Sequence, residues 1–245
     1  MKPRVSVVVP AYNEGPAVVT FLDRILEAVT LPAEVLVVYD TPDDTTVPHL
    51  EAYTTREPRL RPTHNTYGRG PAAAIRFGVD HANADVVVVT MADGSDDPMQ
   101  IDALTRLVER GVVVACASRY MRGGQQVGGP WLKGRLSRTA GVSLKWLARV
   151  GTHDATNSFK AYSRDFLRTV GIESDAGFEM GIEMVAKARR RGLPVAELPT
   201  IWLDRQQGSS NFKVSAWIPR YLHWYLFALG VGRDTDRTQQ DPGST

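Results

Sequence analysis

Asp85-Val-Val-Val-Val-Thr90-Met-Ala-Asp93-Gly-Ser95-Asp96-Asp97-Pro98 is the stretch from which the fold can be read. Four consecutive valines are too short a run for a helix and too uniformly apolar for a strand with one wet face. They predict a strand buried on both sides. Carboxylates follow at once, and Pro98 marks the start of a helix over Gln100 to Arg110. The same pattern recurs outward in both directions. Val5 to Val9, Glu34 to Tyr39 and Val112 to Ala117 read as further buried strands, while Pro16 to Val29 and Gly70 to Ala82 carry helical spacing. Strands alternating with helices predict an α/β fold with a doubly wound, mostly parallel sheet. Ligands bind such sheets beyond the carboxyl ends of the strands. Four polar, turn-forming segments fall there: 10–14, 40–46, 92–98 and 118–124.

Composition narrows the field. The 245 residues carry 29 Lys+Arg against 27 Asp+Glu, a formal net charge of +2, so nothing in the whole-chain charge points to nucleic acid. Cys116 is the single cysteine. It excludes an internal disulfide or a cysteine-built zinc site, and its apolar run predicts a buried, inert thiol. Val5 to Val9 is too short for a secretory signal core, and no run of ~18 uncharged apolar residues predicts a membrane span. The expected compartment is the cytoplasm.

The second half is less regular. Residues 123–134 are glycine-rich and read as a long loop. Helical patterns return over Leu136 to Val150 and Glu179 to Arg191, and Val195 to Leu203 reads as an edge segment broken by Pro199. Val214 to Val231 is aromatic and helical, with Trp217, Ile218, Tyr221, Leu222, Tyr225 and Leu229 on one predicted face. Trp224, Leu226 and Phe227 widen that face, and such a helix suits a membrane-water boundary, a core or a dimer interface. The expected organisation is a catalytic unit over 1–212, an interfacial helix over 213–232 and a polar, disordered tail over 233–245.

A carboxylate such as Asp93 at this strand end can hold Mg²⁺ or Mn²⁺ on a diphosphate, since hard cations take oxygen ligands and share their shell with phosphates. Ser95 or Asp96 reads equally well as a helix cap. Asp40 and Asp44 fit either nucleoside contacts or a turn. Arg119, Arg122, Lys133, Arg135, Arg138 and Arg205 surround the glycine-rich loop and favour an anionic substrate as a group.

Several motifs together resemble the dolichol-phosphate mannose synthase branch of the family 2 glycosyltransferases. Val8-Val-Pro-Ala-Tyr12-Asn13-Glu14 is similar to the opening nucleotide-binding loop. Val37-Val-Tyr-Asp40-Thr-Pro-Asp-Asp44 is similar to the second acidic loop, and Gly68-Arg-Gly70-Pro-Ala to the glycine turn. Ser118-Arg119-Tyr120, Ser137-Arg138, Asp154-Ala-Thr156-Asn-Ser158-Phe159-Lys160, Glu183, Glu197-Leu-Pro199, Asp204-Arg205 and Gly208-Ser-Ser210 follow in the family's order.

The resemblance implies a GT-A fold, a nucleotide-sugar donor (a GDP- or UDP-linked hexose), a divalent metal and a polyprenyl-phosphate acceptor. It implies inverting, metal-dependent hexosyl transfer at the cytoplasmic face of a membrane, contacted through 214–232. It leaves room for a small membrane partner subunit or a homodimer. Pro10, Tyr12, Glu14, Asp40, Asp44, Gly70 and Ala92 would line the nucleotide site. Asp93 and Ser95 would hold the metal, and Arg119, Lys133, Ser137, Arg138 and Arg205 the phosphates. Asp93, Arg119 and Arg205 carry the catalytic expectation. Met91 stands where the family's first metal-binding aspartate is usual, Ser95 replaces an amide, and Lys133 replaces an arginine, with Asp96 or Asp97 the candidates to compensate. Other readings are a family 2 transferase with a soluble acceptor, and a nucleotide-sugar-binding regulator without catalysis.

Overall fold

The computed structural model describes residues 2–129, 131–204 and 214–232, with the side chains at 132, 133 and 214–217 outside that description. Arg205, the side chain of Lys133, the segment 208–210 and the tail over 233–245 therefore lie outside the described residues.

Seven strands form the main sheet. In chain order they are β1 (Val5–Ala11), β2 (Ala33–Tyr39), β3 (Leu60–His64), β4 (Val86–Val89), β5 (Val114–Ser118), β7 (Lys160–Ser163) and β8 (Val195–Pro199). A separate two-stranded ribbon pairs β6 (Gln125–Val127) with β9 (Ile201–Leu203). The sheet order is β3-β2-β1-β4-β7-β5-β8, parallel throughout except at β7, which runs antiparallel to both neighbours. Helices α1 (Ala17–Ala28), α2 (Val47–Thr54), α3 (Pro71–Asp80), α4 (Ile101–Glu109), α5 (Trp131–Leu147), α6 (Arg164–Val170), α7 (Met180–Arg190) and α8 (Val214–Ala228) cover the sheet.

The valine runs behave as their period demands. In β1, Val7 and Val9 pack with Phe21 and Leu22 of α1 and Leu104 of α4, while Val8 joins the opposite layer with α3 and α7. Side chains two apart share a face, so one strand feeds both layers. All four valines of β4 are buried. The edge strand β3 escapes the sequence pattern because only Leu60 is buried and Pro62 interrupts it, which an edge tolerates. β7 and α6 also went unpredicted; Lys-Ala-Tyr-Ser is too short and too polar to announce a central strand.

That reversed strand has a functional consequence. Its amino end lies level with the carboxyl ends of β4 and β5, through Val89↔Lys160 and Cys116↔Lys160. The segment from Asp154 to Phe159 is thereby delivered to the same edge as Asp93 and Arg119. Pro199 does close β8, as expected, and Thr200 turns the chain into the ribbon.

α8 divides its wide apolar surface between core and solvent. Trp224, Phe227 and Ala228 enter the core, and Tyr221 and Tyr225 pack against it. Ile218, Leu222, Leu226 and Leu229 are exposed. No helix among the described residues is long and apolar enough to cross a membrane.

Gly78 in α3 shows how closely the layers approach: a Cβ there would sit 2.4 Å from Cγ1 of Val8. Val8 is β-branched and enclosed, so it has little room to yield. Gly78→Ala should lower stability by about 1–3 kcal/mol, although alanine in a helix gains ~1 kcal/mol over glycine. Urea denaturation checks the sign.

Candidate functional site

The first two loops are stitched together by Asp44. Its buried carboxylate accepts from the amide of Asn13 at 3.1 and 3.0 Å and of Thr46 at 2.8 Å, while Thr46 Oγ1 accepts from the amide of Glu14 at 3.0 Å. Asn13 adopts φ 53°, a left-handed conformation that Asn tolerates better than most residues. Asp44 therefore shapes the loop from below, and Tyr12, 69% exposed, stands on its rim. Pro10 and Ala92 are buried at the strand ends beneath.

Asp40 performs a similar task. It accepts from the Gly70 amide at 2.6 Å and from Asn65 Nδ2 at 2.8 Å, and Asn65 also donates to the Gly68 carbonyl. Gly70 has φ 101°, a conformation that favours glycine, and begins α3. Asn65 is a site residue that sequence reasoning missed, for it belongs to no motif and matters only through its contacts. The glycine turn and the second acidic loop are thus one unit.

At the tip of β4, Asp93 Oδ1 accepts from the Ser95 amide at 3.0 Å and from Ser95 Oγ at 2.6 Å. The helix cap falls to neither Ser95 nor Asp96. Asp97 takes it, accepting from the Met99 amide at 3.1 Å ahead of Pro98. That leaves Asp96 free to turn inward, where Thr90 Oγ1 donates to it at 2.8 Å. Burial first, and then the charge of Asp93, push the Asp96 carboxyl up to about 7. Two neighbouring carboxylates, beside a serine hydroxyl, make an all-oxygen donor set suited to a hard divalent cation. No group of three His, Cys, Asp or Glu side chains suited to a metal occurs among the described residues. Part of any metal's shell would therefore come from a bound phosphate ligand or water.

Across the edge, Arg119 is held through its backbone amide, its Nε and one terminal nitrogen. It forms a two-pronged ion pair with Asp154, Nε to Oδ2 at 2.7 Å and a terminal nitrogen to Oδ1 at 2.9 Å. Its own amide donates to Asp154 at 3.0 Å. Asp154 is wholly buried; burial opposes its charge, but Arg119 overrides that and holds the carboxyl below its ordinary range. Arg119 also donates to Ser137 Oγ at 3.2 Å, and Ser137 meets Thr156 Oγ1 at 2.5 Å. The guanidinium expected to grip phosphate also anchors the second turn of α5 to β5. Of the other expected phosphate ligands, Ser137 belongs to this cluster and Arg138 is exposed on α5.

The remaining motif residues support the edge from behind. Lys160 is buried and donates to the carbonyls of Ala155 and Asn157, and burial draws its ammonium below the usual lysine range. Glu197 accepts from Lys145 at 2.8 Å and His153 Nδ1 lies 2.7 Å from it. Glu183 pins the amides of Glu173 and Ser174 at 2.7 and 2.9 Å. Cys116 is free and buried, with its thiol pushed up to about 11 by burial, so it is not a nucleophile. Tyr221 of α8 donates to the Phe178 carbonyl at 2.9 Å and lies within the field of Arg119 and Asp154, bringing α8 to the flank of the site.

Comparisons with known proteins agree with this fold. The family described as Glycosyl transferase family 2 matches residues 6–171. The polyprenol monophosphomannose synthase of Mycolicibacterium smegmatis is 30% identical over 87% of this chain and 86% of its own. The undecaprenyl-phosphate mannosyltransferase of Micrococcus luteus is 29% identical over 94% and 97%. Among solved structures, glucosyl-3-phosphoglycerate synthase of Mycobacterium tuberculosis, in complex with Mn²⁺, UDP and glucosyl-3-phosphoglycerate, superposes with a TM-score of 0.67 at 18% identity. That match covers 94% of this chain and 81% of the other.

Two outcomes follow from the charges. Asp154→Ala leaves the Arg119 guanidinium buried and unpaired, and should cost about 3–5 kcal/mol in urea unfolding. For Asp96, a carboxyl raised in the folded state contributes stability that is complete below its unfolded value near 4 and is lost as pH rises through about 7. The fall in melting temperature between pH 5 and pH 8 should therefore be smaller in Asp96→Asn than in the wild type.

Proposed function

The chain belongs to glycosyl transferase family 2, and from that membership we propose that it transfers a mannosyl group from a nucleotide sugar to a polyprenyl phosphate, with inversion. The observation that carries the reading is the facing pair of loops at one sheet edge. Asp93 stands at the tip of β4, and the Arg119–Asp154–Ser137 cluster stands beyond β7 at the tip of β5. The named substrates of the relatives in Mycolicibacterium and Micrococcus supply the sugar and the lipid phosphate.

Asp93, with Ser95 and with Asp96 behind it, would hold Mg²⁺ or Mn²⁺ on the donor diphosphate; when bound, the ion neutralises charge on the departing nucleoside diphosphate. The chain's own groups do the rest. Tyr12 offers an exposed ring to the base, and Asp40 holds the Gly70 turn in the shape that admits the nucleoside. Glu14 lies on the same rim. A lipid phosphate is already an anion near neutral pH, so the acceptor needs little help from a general base. Its placement is the catalytic task, because alignment and preorganised charge lower the barrier to a single displacement. Arg119 acts here as a positioning residue: it fixes the turn of α5 that carries Ser137 and Arg138. By the family resemblance, Lys133 and Arg205 would add their charges to the anion site.

The exposed Ile218, Leu222, Leu226 and Leu229 of α8 support peripheral contact with the cytoplasmic face of a membrane, where the acceptor resides. A small membrane subunit or a second copy of the chain would use the same stripe.

The test is a transfer assay with GDP- and UDP-linked hexoses, a short polyprenyl phosphate, and Mg²⁺ or Mn²⁺, read by mass spectrometry. Mannolipid should form, chelation should abolish it, and Asp93→Ala should reduce the rate by about two orders of magnitude. Undiminished metal-dependent transfer by Asp93→Ala, or transfer only to a soluble acceptor, would overturn the assignment.

A further inference from the structure

Glu179 is a carboxylate that the fold buries without satisfying. It directly precedes α7 and is 1% exposed. Its Oε1 accepts from the Ala176 amide at 3.1 Å, whereas Oε2 is buried and has no hydrogen-bond partner among the described residues. The residue occupies the cap position of α7, yet its side chain makes no cap hydrogen bond, so helix capping does not account for it. Nearby donors are engaged elsewhere. Tyr221 gives its hydroxyl proton to the Phe178 carbonyl, and Nε of Arg220 lies 3.3 Å from Asp175. Burial raises the Glu179 carboxyl above its ordinary range, and the charge of Asp175 adds to that. An unpaired buried oxygen is costly, and native structures keep few of them.

The loop that carries Glu179 is also held too firmly to relax towards a partner. Glu183 pins the amides of Glu173 and Ser174, and Arg76 of α3 donates to the Ser174 carbonyl at 2.9 Å. Gly177, with φ 100°, packs on the start of α3: a Cβ there would sit 2.7 Å from the Ala72 amide nitrogen. The loop therefore abuts the Gly70 turn, on the donor side of the crevice. Gly181, in the first turn of α7, lies as close to the segment that feeds β7, since a Cβ there would be 2.5 Å from the Asn157 carbonyl oxygen. On the remaining flank, Tyr221 lies within the fields of Glu179, Arg119 and Asp154 together.

Glu179 thus stands in the wall between the turn that admits the nucleoside and the cluster that borders the anion site. In a glycosyl transfer, the group lying between the donor diphosphate and the acceptor phosphate is the sugar. A hexose is uncharged and presents hydroxyl donors, which suit an acceptor oxygen. A phosphate carries the same charge as the carboxylate and does not. Glu179 lies outside every motif that carried the family resemblance.

We propose that Oε2 of Glu179 accepts a hydrogen bond from one hydroxyl of the donor hexose, and that this contact selects the sugar. The inference deepens the proposed function and rests on it, because the transfer reading is what places a hexose at this wall. Selectivity follows from the burial. A sugar that lacks the hydroxyl, or turns it to the other face of the ring, leaves the carboxylate unpaired again.

The experiment uses the full chain with Mn²⁺. Calorimetry compares GDP, GDP-mannose and each monodeoxy counterpart of GDP-mannose, and the transfer assay described above uses the same donors. The wild type should bind GDP-mannose more tightly than GDP, and one deoxy donor should lose about tenfold or more in affinity and in kcat/KM. In Glu179→Ala that penalty should vanish. In Glu179→Gln, which keeps an oxygen for the Ala176 amide, it should shrink. Affinity for GDP should be unchanged in both. The same deoxy pattern in wild type and variants would overturn the inference, as would GDP-mannose bound no better than GDP by the wild type. Equal loss of GDP and GDP-mannose affinity in the variants would mark Glu179 as a brace for the Gly70 turn and would also overturn it. Discrimination among the donors in calorimetry, with no transfer to any lipid phosphate, would sink the proposed function and leave this inference standing.

Discussion

The buried ion pair between Arg119 and Asp154 holds the working edge of the molecule together. It joins the end of β5, the segment that feeds β7 and the second turn of α5. An ion pair with one member wholly buried is a poor source of net stability, because desolvation consumes most of the attraction. Its value is geometric. Two parallel N–H···O bonds fix the guanidinium in a plane, and the backbone amide of Arg119 adds a third contact to the same carboxylate. The positions of Ser137 and Thr156 follow from that plane.

The reversed strand makes this pairing possible. Were β7 parallel to its neighbours, the segment from Asp154 to Phe159 would arrive at the opposite edge, far from Arg119. Because it is antiparallel, one edge of the sheet receives the acidic tip of β4, the basic end of β5 and the loop that neutralises it. The charges of Asp96, Arg119, Asp154 and Lys160 then act on one another as a single neighbourhood. Asp96 is its least comfortable member without a cation, since neither burial nor Asp93 favours its charge. Such local discomfort is common where a site is prepared for a ligand.

The surface shows a matching division. α7 and the sheet provide the core against which Trp224 and Phe227 of α8 pack, so α8 needs no membrane to be ordered. Its aliphatic stripe is left over from that packing.

Much of this was legible before folding was considered. Unbroken apolar runs with polar ends determined the strands β1, β2, β4 and β5, the helices between them and the edge that carries the site, because burial on both faces leaves a local signature. The position of Asp93 was legible for the same reason: it lies in the loop that follows such a run. What each charged group does was decided only by the tertiary structure. Asp44 and Asp40 brace backbone amides, Asp97 caps in place of its neighbours, Arg119 holds a carboxylate, and the aromatic residues of α8 divide between core and surface. Their partners lie tens of residues away, from Asn13 to Asp44 and from Arg119 to Asp154. Local spacing carries no record of a contact that only the sheet order creates.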